Sequence, residues 1–292
     1  MNQHFEHSRP SRNAAPSPML VFGGPYSNLR ATLAMRAEAE RLGVPASRVI
    51  CTGDVVAYCA EPEETVRAIR DWGCQTVQGN CEEQLAEAAG DCGCGFEEGS
   101  ACDLLAKGWY PFANARVSAE SRSWMAGLPK HLRFEMTGVR FLVVHGGVSQ
   151  VNRFVFGSQS DVLDEEMSLA DADVVIGGHA GVPFIARTRR GVWFNPGVIG
   201  MPANDGTTEV WYGLIEQSDD GAVRLATHRL SYDHRGAAAH LRKWGIADGY
   251  ARALLTGLWP SLDVFPAAER ALTGVRLEER ELRLAPDFAA GT

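Results

Sequence analysis

Short apolar runs that stop at glycine alternate along this chain with segments whose apolar residues return at helical spacing. Residues 18–22 (Pro18-Met19-Leu20-Val21-Phe22) end at Gly23-Gly24-Pro25, which predicts a buried strand entering a sharp turn. Asn28 offers a cap for the helix that follows. Leu29, Leu33, Ala37 and Leu42 recur on its predicted inner face until Gly43 stops it. Residues 49–52 repeat the strand pattern and run into Gly53-Asp54. Pro62 opens a second helix that turns Val66 and Ile69 inward and ends at Gly73. Residues 74–77 make a third strand, followed by Gly79-Asn80. Three strand–turn–helix units in succession predict an α/β fold with a parallel sheet.

The pattern continues in the second half. Residues 141–145 and 174–179 are two more apolar runs, each ending in a histidine. Residues 182–188 and 191–194 predict a hairpin that turns at Arg189-Arg190-Gly191. Residues 209–216 and 222–230 alternate like antiparallel strands of a second sheet. From Gly236 onwards the pattern is mainly amphipathic helix, with Leu241, Trp244, Tyr250, Leu254 and Leu255 as packing residues. This divides the chain into a flexible tail (1–17), a main domain (18–232) and a helical C-terminal extension packed on it (233–292).

Charge and cysteine placement narrow the classes. The formal charge of −8, without any Lys/Arg block, argues against binding driven by nucleic-acid phosphates. No apolar run nears the roughly 20 residues that span a bilayer, and the first residues lack the apolar centre of a signal peptide. All seven cysteines fall between Cys51 and Cys102, inside a strongly acidic neighbourhood. A secreted framework would spread them, so the expectation is a reduced cytoplasmic protein with a local thiol-rich loop around Asp91-Cys92-Gly93-Cys94-Gly95.

The polar residues delivered at strand ends are Asp54, Asn80, His145 and His179. In open α/β sheets ligands bind outside the C-terminal strand ends. A carboxylate, an amide oxygen and two imidazoles suit a divalent transition metal: Mn, Fe, Zn or Ni. Singly, each has a plainer reading, as a turn former or a structural histidine. Cys81, Cys92, Cys94 and Cys102 offer thiolates for a structural zinc or an iron–sulfur cluster, although their spacing matches no Cys-x-x-Cys ribbon. Cys51 and Cys74 read as small core residues.

Taken together, Gly53-Asp54-Val55-Val56-Ala57-Tyr58, Gly79-Asn80, His145-Gly146 and Gly178-His179 resemble the signature blocks of the calcineurin-like metallophosphoesterases. Asn195-Pro196-Gly197 resembles the block after the last histidine in a small bacterial branch that includes diadenosine-tetraphosphatase-like proteins and phosphodiesterases. The resemblance spans about residues 18–232. It implies an α/β/β/α sandwich, two packed sheets flanked by helices, with a two-metal site at one end. Asp54 would bridge the metals, and Asn80, His145 and His179 would complete the second.

The departures are equally specific. Where the family has Asp, any residue, His, Gly, Asn, this chain has Gly24, Pro25, Tyr26, Ser27, Asn28, and the family's second histidine in the last block is Gly181. A standard first-metal site cannot form, so one ion in the second-metal position is expected. Cys81 stands where the family has a histidine that acts on the substrate, with Glu82 next to it; these two are the weak catalytic candidates. A cation beside Cys81 would lower its thiol pKa and make it the most reactive of the seven. Tyr26, Asn28, Cys59 and Asp205 are further candidates for a rebuilt site. Met201-Pro202-Ala203 replaces the family's Gln-Pro-Arg, leaving Arg187, Arg189 and Arg190 as the basic residues nearest His179 in sequence.

The expected function is hydrolysis of a phosphomonoester, phosphodiester or nucleotide at a site lacking the first-metal ligands. The alternatives are a non-catalytic metal- or nucleotide-binding relative, and a redox or metal sensor built on the cysteine loop. The expected partner is a small phosphorylated molecule or nucleotide, with no nucleic acid and no membrane.

Overall fold

The first apolar run is a strand covered on both faces. In a computed structural model, which describes residues 18–246, 248–286 and 288, Leu20 and Phe22 pack toward helices while Met19 and Val21 pack toward a second sheet. The tail expected over residues 1–17 lies outside the described residues. In chain order come β1 (Met19–Phe22), α1 (Leu29–Arg41), β2 (Val49–Cys51), α2 (Pro62–Trp72), β3 (Gln75–Thr76) and α3 (Asn80–Ala86). There follow α4 (Ala101–Asn114), α5 (Ala119–Ala126), β4 (Leu132–Met136), β5 (Val139–Val143), α6 (Ser160–Leu169) and β6 (Val174–Ile176). The chain continues through β7 (Phe184–Arg187), β8 (Val192–Asn195), β9 (Val210–Gln217), β10 (Val223–Leu230), α7 (His234–Lys243), α8 (Asp248–Thr256), α9 (Ala267–Ala271) and β11 (Glu281–Leu284).

Two sheets stack face to face, ordered β11-β10-β9-β1-β2-β3 and β4-β5-β6-β8-β7. Val21, Ile50, Ile215 and Leu225 of one sheet meet Phe141, Val143, Val174 and Phe194 of the other. The outer face of the first sheet is covered by helices, through Leu20, Phe22 and Cys51 against Met35, Ile69 and Leu241. The outer face of the second is covered through Leu142, Val175 and Trp193 against Leu163 and Met167 of α6. Strand alternation thus gives each sheet two apolar faces and the whole an α/β/β/α order.

Several local expectations change. β9 and β10 pair with each other, but β9 also pairs antiparallel with β1, so both belong to the first sheet and not the second. The second sheet is built instead from β4–β8. In α1 the inward face is Ala31, Thr32, Met35 and Ala39, while Leu33 is 50% exposed. The C-terminal stretch also carries a strand, β11, paired with β10. Trp244, expected to pack inward, is 48% exposed and lies against Phe112 and Arg116. The parallel strands β1–β3 and β5, β6, β8 bring their C-terminal ends to the same edge of the sandwich, where a parallel bridge between Gly23 and Val198 ties the two sheets.

Candidate metal centre

Asp54 follows β2, Asn80 opens α3 after β3, His145 follows β5, and His179 follows β6. All four are buried, with His179 the most open at 8% exposure. The glycines before them are needed for close approach. A Cβ on Gly79 would stand 2.7 Å from Asp54 Oδ1, and one on Gly53 would stand 2.9 Å from His145 Nδ1. Even Asp54 takes a positive φ of 55° to turn its carboxylate into the cluster.

Four atoms converge. His145 Nε2 lies 3.0 Å from Asn80 Oδ1, 3.0 Å from His179 Nδ1 and 3.3 Å from Asp54 Oδ2; His179 Nδ1 lies 3.7 Å from Asp54 Oδ2. Each is oriented from behind. His145 Nδ1 donates to the Thr52 carbonyl at 2.6 Å, which leaves Nε2 with its lone pair toward the cluster. Asn80 Nδ2 donates to the Cys92 carbonyl at 2.9 Å, which turns its oxygen inward. The Glu82 carboxylate accepts the backbone N–H groups of Asp54, Gly79 and Val55 at 2.7–3.0 Å, fixing the loop that carries Asp54.

The electrostatics follow from this crowding. Burial opposes the Asp54 charge, but His145 and then His179 outweigh it and hold the carboxyl far below its usual range. Burial likewise opposes protonation of His145, and the Asp54 charge, its hydrogen bond and the Thr52 carbonyl overcome that and raise its pKa. His179 is lowered, chiefly by burial. Glu82 is pushed up to about 7 by burial and by Asp54, against the pull of its backbone donors. A carboxylate, an amide oxygen and two imidazole nitrogens turned to one point form an acceptor set that calls for a cation. Among the described residues, Asp54, His145 and His179 are the one group of three His, Cys, Asp or Glu side chains close enough to share a metal.

The calcineurin-like phosphoesterase superfamily domain model matches residues 28–219, about two thirds of the chain. The chain belongs to this superfamily. It is 22% identical over 259 residues to the uncharacterized protein MJ0912 of Methanocaldococcus jannaschii, an alignment covering 82% of this chain and 98% of that protein. Its fold is similar to a metallophosphoesterase from Sphaerobacter thermophilus, with a TM-score of 0.66, 20% identity, and coverage of 84% of this chain and 100% of the other. It is also similar to the hypothetical protein PH1004 of Pyrococcus horikoshii OT3, with a TM-score of 0.69, 17% identity, and coverage of 83% and 99%.

Beside the cluster, at the two positions where the resemblance would put first-metal ligands, the chain has glycines against aromatic rings. Gly24 has a positive φ of 37°, and a Cβ there would run into the Tyr26 ring. A Cβ on Gly181 would stand 3.0 Å from the Trp259 ring. Tyr26 is fully buried, and burial followed by the Asp54 carboxylate pushes its phenol well above 10, so it stays neutral.

The remaining candidates disperse. Glu82 is taken up by the backbone donors of Asp54, Val55 and Gly79, as described. Cys81 is buried beside Asn80, and burial followed by the Asp54 and Glu82 carboxylates pushes its thiol well up. The protein's own groups thus oppose the expected thiolate. Asn28 caps α1 and donates to the Gly200 carbonyl and the Tyr232 hydroxyl. Cys59 is a core residue whose thiol burial also raises. Asp205 binds Thr207 and Arg229. Cys92 and Cys94 are joined in a disulfide, whereas Cys102 sits on α4 under Asp263, so the proposed thiolate cluster does not assemble. The Arg189-Arg190 turn lies at the N-terminal end of β6, opposite His179, because Val192 pairs with Val174.

Sequence reasoning missed two features. Thr52 orients His145 only through its carbonyl, which no side-chain pattern reveals. The aromatic lining formed by Tyr58, Phe154, Tyr250 and Trp259 comes from three distant segments. No helix among the described residues is long and apolar enough to cross a membrane.

Proposed function

We propose that this protein is a metal-dependent phosphoester hydrolase working with one divalent transition ion, held by Asp54, Asn80, His145 and His179. The observation that carries this reading is the convergence of four ligand atoms beside a first-metal side filled by aromatic rings. The substrate class is a small phosphorylated molecule or nucleotide. A bound ion supplies positive charge to a phosphoryl oxygen and acidifies a water. The chain's own part is positional: Asp54 supplies the buried anion, Thr52 and Cys92 carbonyls aim His145 and Asn80, and Glu82 anchors the Asp54 loop.

With one ion, the attacking and leaving oxygens are not both clamped, so turnover of simple phosphodiesters should fall well below that of two-metal enzymes. Elemental analysis of purified protein, followed by assay on an aryl phosphodiester and an aryl phosphomonoester after loading with Mn, Fe, Zn or Ni, tests this. Bound metal near one per chain with slow, metal-dependent hydrolysis supports it, and two ions per chain overturns it. The near-complete burial of Asp54, Asn80 and His145 favours a second reading, a non-catalytic metal- or nucleotide-binding protein. Full loading without hydrolysis, alongside a melting temperature raised by nucleotide, would select that one.

A further inference from the structure

The rings on the first-metal side do more than fill space. They wall a cavity of about 50 Å³ that opens to solvent and reaches His179. Its walls include Tyr26, Tyr58, Phe154, Tyr250 and Trp259, and no Lys, Arg, Asp or Glu lines it among the described residues. We infer that this cavity holds a flat aromatic or heteroaromatic ring on the phosphoester substrate, a reading that rests on the one-metal hydrolase proposed above.

Three observations converge on that occupant. First, the cavity borders the metal centre directly: the Phe154 ring centroid lies 4.3 Å from that of His179. A group seated there lies against the His179 imidazole. Second, His179 turns Nδ1 to the cluster, while its Nε2 is buried without a partner. The same imidazole lines the cavity, so one ring joins the cluster to the aromatic wall. Third, the wall is rigid and aromatic. Tyr58 stacks on Tyr250 at 4.6 Å and tilts against Tyr26 at 4.7 Å, and Trp259 is pinned by its Nε1 donating to the Pro202 carbonyl. Such surfaces favour stacked or edge-on rings over aliphatic groups of equal area.

Size selects within that class. One water needs about 10–15 Å³ by this measure, so the cavity admits a single small ring and leaves anything larger outside its mouth. The exchange of ligands for rings thus replaces one means of holding substrate, a second ion on phosphoryl oxygen, with another, stacking on the organic group.

Binding of phosphonates, which are not hydrolysed, separates the two layers of the argument. Methylphosphonate, phenylphosphonate and cyclohexylphosphonate are titrated calorimetrically into the metal-loaded full chain. The expected result is phenylphosphonate binding at least tenfold tighter than the other two. In Cys102→Leu, which narrows the cavity from α4, and in Phe154→Ala, which removes a wall, the phenyl preference should shrink to threefold or less. Melting curves of both variants confirm folding. Equal binding of phenyl- and methylphosphonate, or of phenyl- and cyclohexylphosphonate, overturns the aromatic assignment while leaving the metal reading intact. A phenyl preference that survives in both variants also overturns it. Failure of all three to bind the loaded protein refutes the hydrolase reading and this inference with it.

Discussion

The two halves of the centre share one scaffold and differ in chemistry. On one half, loops after β2, β3, β5 and β6 deliver four acceptors to a point, each preceded or backed by a residue whose sole role is space or orientation. On the other, the loop after β1 and the one after β6 arrive at the same edge but present Gly24 and Gly181, with the Tyr26 and Trp259 rings directly against them. The lesson is that the two halves differ in packing as much as in the side chains they present. Rings fill the space beside Gly24 and Gly181, so a side chain added at either position meets one. The C-terminal extension takes part through Tyr250 and Trp259, and lies beyond the residues matched to the family.

The largest effects should come from breaking the polar half. His145→Ala or His179→Ala is expected to remove most bound metal, read by elemental analysis after dialysis. Full occupancy in the double variant would sink the assignment of the cluster. Chelating the wild-type protein should lower its stability by about 2.7 kcal/mol when free metal had stood at about 100 times Kd. That shift should vanish in His145→Ala.

Next comes an attempt to undo the aromatic half. Gly24→Asp places a Cβ in the Tyr26 ring at a left-handed backbone position, and should cost about 2–4 kcal/mol in urea unfolding. Combining it with Tyr26→His should recover part of that loss, because the colliding ring is gone. Additive losses in the double variant would mean that the two positions do not exclude each other.

A smaller effect tests the support beneath the aromatic half. Asp205 accepts from Thr207 and Arg229 in the loop that precedes β9, and the neighbouring Asn204 holds the Trp259 backbone. Burial opposes the Asp205 charge, but the Thr207 and Arg229 hydrogen bonds win and hold its pKa below the ordinary 3.8. A lowered folded-state pKa contributes stability that is fully present above about pH 4 and is lost as pH falls through the lowered value. Asp205→Asn should therefore cost about 1.5–3 kcal/mol near neutral pH, and progressively less below about pH 4. A cost that is the same at both extremes would show that the charge is not what matters. As a baseline, Arg36→Ala breaks an exposed ion pair with Glu40 on α1, remote from both halves, and should change stability by less than about 0.5 kcal/mol.

What the sequence disclosed follows the same division. Asp54, Asn80, His145 and His179 were legible because each signal is local: an apolar run, a glycine and a polar residue at a strand end. The buried face of α1 was not, because apolar spacing alone admits Leu33, whereas packing into the core beneath the first sheet selects Met35 and Ala39. Sheet membership of β9 was hidden for a related reason, since its alternation is the same whichever sheet it joins. β11, with only Leu284 fully buried, gains its identity from pairing with β10. The aromatic cavity was illegible because Tyr26 and Trp259 are brought together only by the closed fold.

One detail of the polar half bears on time as well as affinity. Asn80 is held by the Cys92 carbonyl, in a loop that carries the Cys92–Cys94 bond, and Asp54 and His145 beside it are buried. An ion held there by four ligands would leave only after several of them let go, and lifting residues 91–95 would free Asn80 to do so first. Exchange of a bound isotope should then track the opening rate of residues 91–95, so that a weak site and a fast one become separate properties of this molecule.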